Sequence, residues 1–273
     1  MEIDELSDII YKKEENGLCY LIFNRPERRN AMTQVTFLEI ETILEDMEKD
    51  KKARALIMTG CEEANAFSSG GFFDPSFFSN LSPELKEQIK VSDIAQKRLC
   101  LKLWDFSKPI VAAINGLAIG SGFTIPLAGA DLIYMADDAW IGFYFIKRAL
   151  SLETASSFLL PFYVGFQRAK EILYFGDKID AQKALELGFI NEVVPKDKLM
   201  AHVRSVAQQL IPPNGPSVSL KFMKKLMHDY FRPILERQLT MENESLQETL
   251  RTRDFRESTI ALKEKREPKF KGR

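Results

Sequence analysis

Three short stretches hold the residues whose types and spacing could do chemistry. "RALSLETASSFLLP", Arg148 to Pro161, places one acid, Glu153, among small and apolar residues. "FSSGGF", Phe67 to Phe72, and "GLAIGSGF", Gly116 to Phe123, are glycine-rich turns, each following an expected strand. A carboxyl in dry surroundings is pushed up towards roughly 6–7, the working range of a general base. A helix start beside it opposes that rise by favouring the anion. Glycine leaves backbone N–H groups uncovered, and two such amides converging on a point make an oxyanion hole. A helix N-terminus behind the second turn adds partial positive charge. The residues alone leave other readings open. Glu153, beside Ser151, could simply start a helix, worth roughly 0.3–1 kcal/mol. A glycine turn after a strand could be only a tight connection.

Other chemistries find little support. The three cysteines, Cys19, Cys61 and Cys100, form no CxxC pair and no metal spacing, and read as free thiols of a reducing compartment. The two histidines, His202 and His228, stand in the C-terminal part and suit helix positions better than a His-based triad or metal site. Neither glycine turn is a Walker A or a G-x-G-x-x-G fingerprint. Lys and Arg number 38 against 39 Asp and Glu, so nothing suggests nucleic-acid binding. "MEIDELSDII" is not a secretory signal, and the most apolar run, Pro109 to Ala136, is broken by polar residues and glycines. The expectation is a cytoplasmic protein with no membrane contact and no metal or redox cofactor.

The chain of 273 residues, 45% hydrophobic and 28% charged, has the composition of a globular protein with a sizeable core. Strands are expected at Leu18–Asn24, Arg54–Gly60, Lys108–Gly116, Asp131–Asp137 and Ala139–Phe145. Between them lie helices: one from an N-cap at Thr33 with Phe37, Ile40, Leu44 and Met47 inward, one over Pro83–Phe106, and one starting at the Gly120-Ser121-Gly122 turn. Strands alternating with helices make the class α/β. From about Lys196 the pattern is helical. The expected division is an α/β core over 1–195 and a helical region over 196–273.

The motifs occur in an order that resembles a known family. "NRPERRNAM", then "AFSSGG", then "KPIVAAINGLAIGSG", then "ELGFINEVVP" is similar to the enoyl-CoA hydratase/isomerase family, the crotonase fold, from about Asp8 to the C-terminus. The resemblance implies a spiral of ββα units and an acyl-coenzyme A thioester as substrate. The coenzyme A belongs to that substrate and is not a separate cofactor. It also implies a homotrimer or a hexamer built as a dimer of trimers, with the C-terminal helices serving trimerisation and covering the site. Matched by position, the oxyanion amides fall on Gly71 and Ser121, where a serine replaces the usual glycine. "RPERRNA", with Arg28, Arg29 and Ala31, matches the part against the nucleotide, and Ala66, Ser68 and Gly70 match the adenine-side strand and turn.

The acids separate the reactions of the family. The two positions matching the hydratase glutamates are Thr124 and Phe145, and neither can act as acid or base. Glu153 matches the base of the Δ3,Δ2-enoyl-CoA isomerases, which carry "PE..SS" here, with Leu152 standing where many have proline. The expected activity is therefore migration of a double bond from C3 to C2 of an enoyl thioester. The competing readings are a decarboxylase of the same fold, a residual hydratase, and a non-catalytic acyl-CoA binder. Phe72, Phe73, Phe77, Phe78, Phe143, Tyr144 and Phe145 are candidates for an acyl tunnel or for ordinary packing, and "FFDPSFF" departs from the usual pattern by displacing Asp74. Asp131 is expected to buttress a turn.

Overall fold

Apolar runs flanked by turn residues set the strands, and helical spacing sets what lies between. In the computed structural model, which describes residues 1–72 and 79–273, β1 (Ile9–Lys13) and β2 (Leu18–Phe23) pair antiparallel, and α1 (Gln34–Lys49) follows. Thr33 caps α1, its Oγ1 accepting from the amides of Val35 at 3.1 Å and Thr36 at 3.2 Å. Phe37, Ile40, Leu44 and Met47 are all buried, as their spacing requires.

The chain then winds in a repeating pattern. β3 (Ala55–Gly60) leads to β4 (Ala66–Ser68), and α2 (Pro83–Gln88) and α3 (Lys97–Asp105) come after. β5 (Ile110–Ile114) leads to β6 (Leu117–Ile119) and α4 (Ser121–Gly129). β7 (Leu132–Ala136) leads to β8 (Trp140–Gly142) and α5 (Ser156–Phe175). A last partial turn is β9 (Lys178–Asp180), α6 (Ala181–Glu186) and β10 (Glu192–Val194). Each turn puts one strand into a large sheet, ordered β1-β2-β3-β5-β7-β10, and one into a small sheet, ordered β4-β6-β8-β9. From β2 to β10 the large sheet is parallel. Every residue of β3 and β5 is buried, as in a parallel sheet covered on both faces. This is the expected ββα winding.

Four helices close the chain: α7 (Leu199–Gln209), α8 (Ser217–Asp229), α9 (Arg232–Leu250) and α10 (Arg253–Glu264). α7 lies across β3, β5 and β7 and buries Leu199, Val203 and Ala207. α9 packs against α3 and α5. Asp131 does buttress a strand start: its Oδ2 accepts from the Ile110 amide and from Lys224 Nζ, at 2.8 and 2.9 Å. Among the described residues no helix is long and apolar enough to cross a membrane.

The expected single helix over Pro83–Phe106 is instead two helices separated by Ile89–Gln96. Asp93 accepts from the amides of Lys97 (2.7 Å) and Arg98 (2.8 Å), which starts α3 afresh, and Gln96 turns left-handed at φ +55°. Asn243, far along the chain on α9, holds Ala95 and Asp93 in that break.

Candidate active site

The turn after β2 and the strand β4 are laced together by one buried asparagine. Asn30 is 1% exposed; its Nδ2 donates to the Ala66 carbonyl at 3.0 Å and its Oδ1 accepts from the Arg25 amide at 2.9 Å. Its carbonyl accepts from Ser68 Oγ at 2.7 Å, and the Ser69 amide donates to the Arg29 carbonyl at 2.9 Å. Arg28, Arg29, Ala31, Ala66, Ser68 and Gly70 therefore come to one place. Arg28 and Arg29 are exposed there and have no carboxylate partner among the described residues. Arg28 lies over the Phe72 ring, 5.7 Å from its centroid. Asn30 escaped the sequence reading; the signal for it was a residue type that tolerates left-handed backbone, which it adopts at φ +55°.

The same stretch aims the first amide. The Gly70 carbonyl accepts from the Met32 amide at 2.9 Å, and the Phe72 amide donates to the Met32 carbonyl at 2.7 Å. Both groups point at Met32, so the N–H of Gly71 between them points away. Gly71 itself lies beside the second turn: a Cβ placed on it would lie 3.5 Å from Ser121 Oγ. Ser121 is the first residue of α4, where amides have no acceptor within the helix. The two glycine turns thus meet.

Glu153 arrives at this point from the segment before α5. A Cβ on Gly120 would lie 3.8 Å from Glu153 Oε1 and 3.9 Å from Phe145 Cε1. Burial pushes the Glu153 carboxyl up to about 7; the negative charge of Glu242 adds to the rise, and the Ser121 amide and hydroxyl oppose it. The opposing contribution comes from Ser121, the first residue of α4, and burial outweighs it. The Ser121 hydroxyl is buried without a hydrogen bond of good geometry, though it faces this carboxylate. Thr124 and Phe145, matching the hydratase acids, are buried, and the Thr124 hydroxyl is likewise unpaired. Phe143 packs edge-on with Phe123 and Phe189 in the core, with centroids 5.8 Å away from each. Tyr144 lies beside Trp140, under Lys147. Phe73, Asp74, Phe77 and Phe78 lie outside the described residues.

The backbone around Glu153 is held against its local preference. Ala149, Thr154 and Ala155 have φ of +51°, +54° and +60°. Left-handed backbone at such residues costs on the order of 1–3 kcal/mol each and needs outside support. The support is Ala95, whose carbonyl accepts from the Thr154 amide at 3.1 Å, and Glu242 on α9. Glu242 is 3% exposed and accepts from the amides of Ala155 (2.8 Å) and Ser157 (2.9 Å) and from the Ser157 hydroxyl. Glu242 gave no signal in the sequence, because its partners lie more than eighty residues away.

With two converging turns and one raised carboxyl in place, comparison with known proteins decides the kinship. The enoyl-CoA hydratase/isomerase family model matches residues 13–273. The chain belongs to the enoyl-CoA hydratase/isomerase family. Among relatives of this family it is 28% identical to the 1,2-epoxyphenylacetyl-CoA isomerase of Escherichia coli, across 98% of this chain and 100% of that one. It is also 28% identical to the crotonyl-CoA hydratase of Syntrophomonas wolfei, across 96% of this chain and 97% of that one. The crystal structure of an enoyl-CoA hydratase/isomerase from Pseudoalteromonas atlantica superposes with a TM-score of 0.84 at 28% identity, covering 97% of this chain and all of that one. The ββα winding is thus the crotonase fold, and the family works on acyl-CoA thioesters as hydratases or isomerases.

Proposed function

We propose that this family member is a Δ3,Δ2-enoyl-CoA isomerase with Glu153 as its single base. The observation that carries the reading is the placement of one raised carboxyl against Gly120, where Phe145 also packs, with no acid at Thr124 or Phe145. The thioester carbonyl lies between the amides of Gly71 and Ser121. Glu153 removes a C2 proton from the 3-enoyl chain. The dienolate charge rests on the carbonyl oxygen, where one preorganised donor is worth about 2.7–4 kcal/mol. The same carboxylic acid returns the proton at C4, giving the 2-enoyl thioester. Water takes no part, and the phenyl ring of Phe145 gives no hold to one. Arg28 and Arg29, exposed and unpaired with carboxylates, meet the nucleotide phosphates. No cofactor beyond the coenzyme A of the substrate is required.

Assembly as a homotrimer or dimer of trimers belongs to the same reading. It is supported by apolar side chains left exposed on α5 (Phe162, Phe166) and α8 (Phe222, Leu226).

The test is turnover of 3-hexenoyl-CoA, followed by the ultraviolet absorbance of the conjugated product, beside hydration of crotonyl-CoA. Isomerisation well above hydration is expected. Efficient hydration with no isomerisation overturns the reading. The base must be anionic to act, so kcat is expected to fall as pH drops through about 7. A pH-rate profile flat from 5 to 8 speaks against Glu153.

A further inference from the structure

We propose that Glu242, on α9, is a positioning residue for Glu153: it grips the turn that carries the base and presents a second buried negative charge to it. The inference rests on the reading of Glu153 as the base. Its ground is geometry. α5 is preceded by Ala155, whose methyl side chain cannot cap a helix, and Ala155 is itself left-handed. The first-turn amides of α5 need an acceptor from elsewhere. Glu242 supplies it with both carboxylate oxygens, Oε2 to the Ala155 amide and Oε1 to the amide and hydroxyl of Ser157. The next residue, Asn243, holds the other side of the same turn. Its Oδ1 accepts from the Ala95 amide at 2.7 Å and its Nδ2 donates to Asp93 at 2.8 Å, while the Ala95 carbonyl takes the Thr154 amide. One dipeptide of α9 therefore fixes both residues that follow Glu153.

A neutral cap would suffice for holding the turn. A carboxylate also acts on the base by its charge. Among the described residues neither Glu242 nor Glu153 has a cationic partner in an ion pair. Cys100, on α3, faces Glu242 as a fully buried thiol that burial keeps neutral. Asp93, before α3, spends its oxygens on the amides of Lys97 and Arg98 and on Asn243. Arg232, on α9, is committed to Asp105 and Glu236. The guanidinium of Arg148, ahead of Glu153, makes a long contact with Thr259 and no ion pair among the described residues. Burial raises the Glu242 carboxyl as well, against the three hydrogen bonds it accepts from Ala155 and Ser157. In its ionised form its like charge bears on Glu153, with no ion-paired cation on either among the described residues, and favours the protonated base.

The experiment compares pH-rate profiles of the full-length wild type, Glu242→Gln and Glu153→Gln on 3-hexenoyl-CoA, with coenzyme A binding and melting as checks on folding. Glu242→Gln keeps one acceptor for Ser157 and removes the charge, so the acid limb of kcat is expected to move about one unit lower in pH. A helix cap alone would lower kcat or melting and leave the limb in place, and that result overturns the inference. If Glu153→Gln retains full kcat, the base reading itself falls. If Glu153→Gln is inactive and the limb of Glu242→Gln is unmoved, only the positioning role falls. Should Glu242→Gln not fold, Glu242→Asp keeps the charge but draws it back by one methylene. A kcat loss of about tenfold or more at unchanged coenzyme A binding is then expected, since misplacing reacting groups by an ångström costs up to about a hundredfold. An unchanged kcat overturns the inference.

Discussion

Glu153→Gln is expected to lower kcat for the C3-to-C2 double-bond shift by about 10²–10⁴-fold, the usual contribution of a positioned acid or base. The amide can neither take the C2 proton nor return one at C4. Binding of coenzyme A should be unchanged, because on the proposed reading the nucleotide meets the Arg25–Ala31 turn and β4 rather than the acid. The same substitution should also stabilise the protein, with a definite dependence on pH. The folded carboxyl is raised from 4.5 to about 7, so the native state favours its protonated form. Its contribution to stability is fully present below about 4.5 and is lost as pH rises through about 7. Glutamine carries no such loss. Above pH 7 the variant should therefore be more stable by about 3 kcal/mol, converting the shift from 4.5 to about 7 at 1.36 kcal/mol per pH unit. The gain should fade between pH 7 and 5. Denaturant titration at pH 8 and pH 5 measures it. A variant that is inactive and more stable at pH 8 marks a carboxylate kept in place for chemistry at the expense of stability. A variant that is active, or less stable at pH 8, makes Glu153 an ordinary helix-end residue.

Local chemistry made much of this legible. Thr33 capped α1 where expected, and the positions three and four apart along that helix went inward together. The two glycine turns met because each sits at the end of a small-sheet strand, and β4 and β6 are neighbours in that sheet. What stayed hidden depends on partners distant in the chain. The apolar spacing across Pro83–Phe106 is continuous, yet Asn243 and Asp93 break the helix there by claiming backbone groups. The left-handed turn at Thr154 and Ala155 runs against the preference of both residue types, and a helix more than eighty residues on enforces it. Such conflicts between local propensity and observed backbone collect at sites held for function, and this one immediately follows the candidate base.

Gly70→Ala should be the most damaging single methyl group in the oxyanion region. Gly70 has φ +91°, where any Cβ is strained, and the added carbon would lie 2.4 Å from the carbonyl oxygen of Ile119. That oxygen is backbone and cannot rotate aside. Relief requires β4 and β6 to separate at their ends, and Ile119 leads directly into Gly120 and Ser121. The proposed pairing of the Gly71 and Ser121 amides would then be lost. Losing one oxyanion donor lowers kcat by about 10²–10³-fold, so a loss of at least that size is expected. Destabilisation of about 1–3 kcal/mol should accompany it. Gly188→Ala separates the two effects. Gly188 also has positive φ, +75°, but nothing lies within 4 Å of the added carbon. It should lower the melting temperature while leaving kcat unchanged. If Gly70→Ala behaves like Gly188→Ala, with stability reduced and turnover intact, the two turns do not form a shared anion site. A large kcat loss confined to Gly70→Ala, with coenzyme A still bound, is what a two-amide oxyanion hole requires.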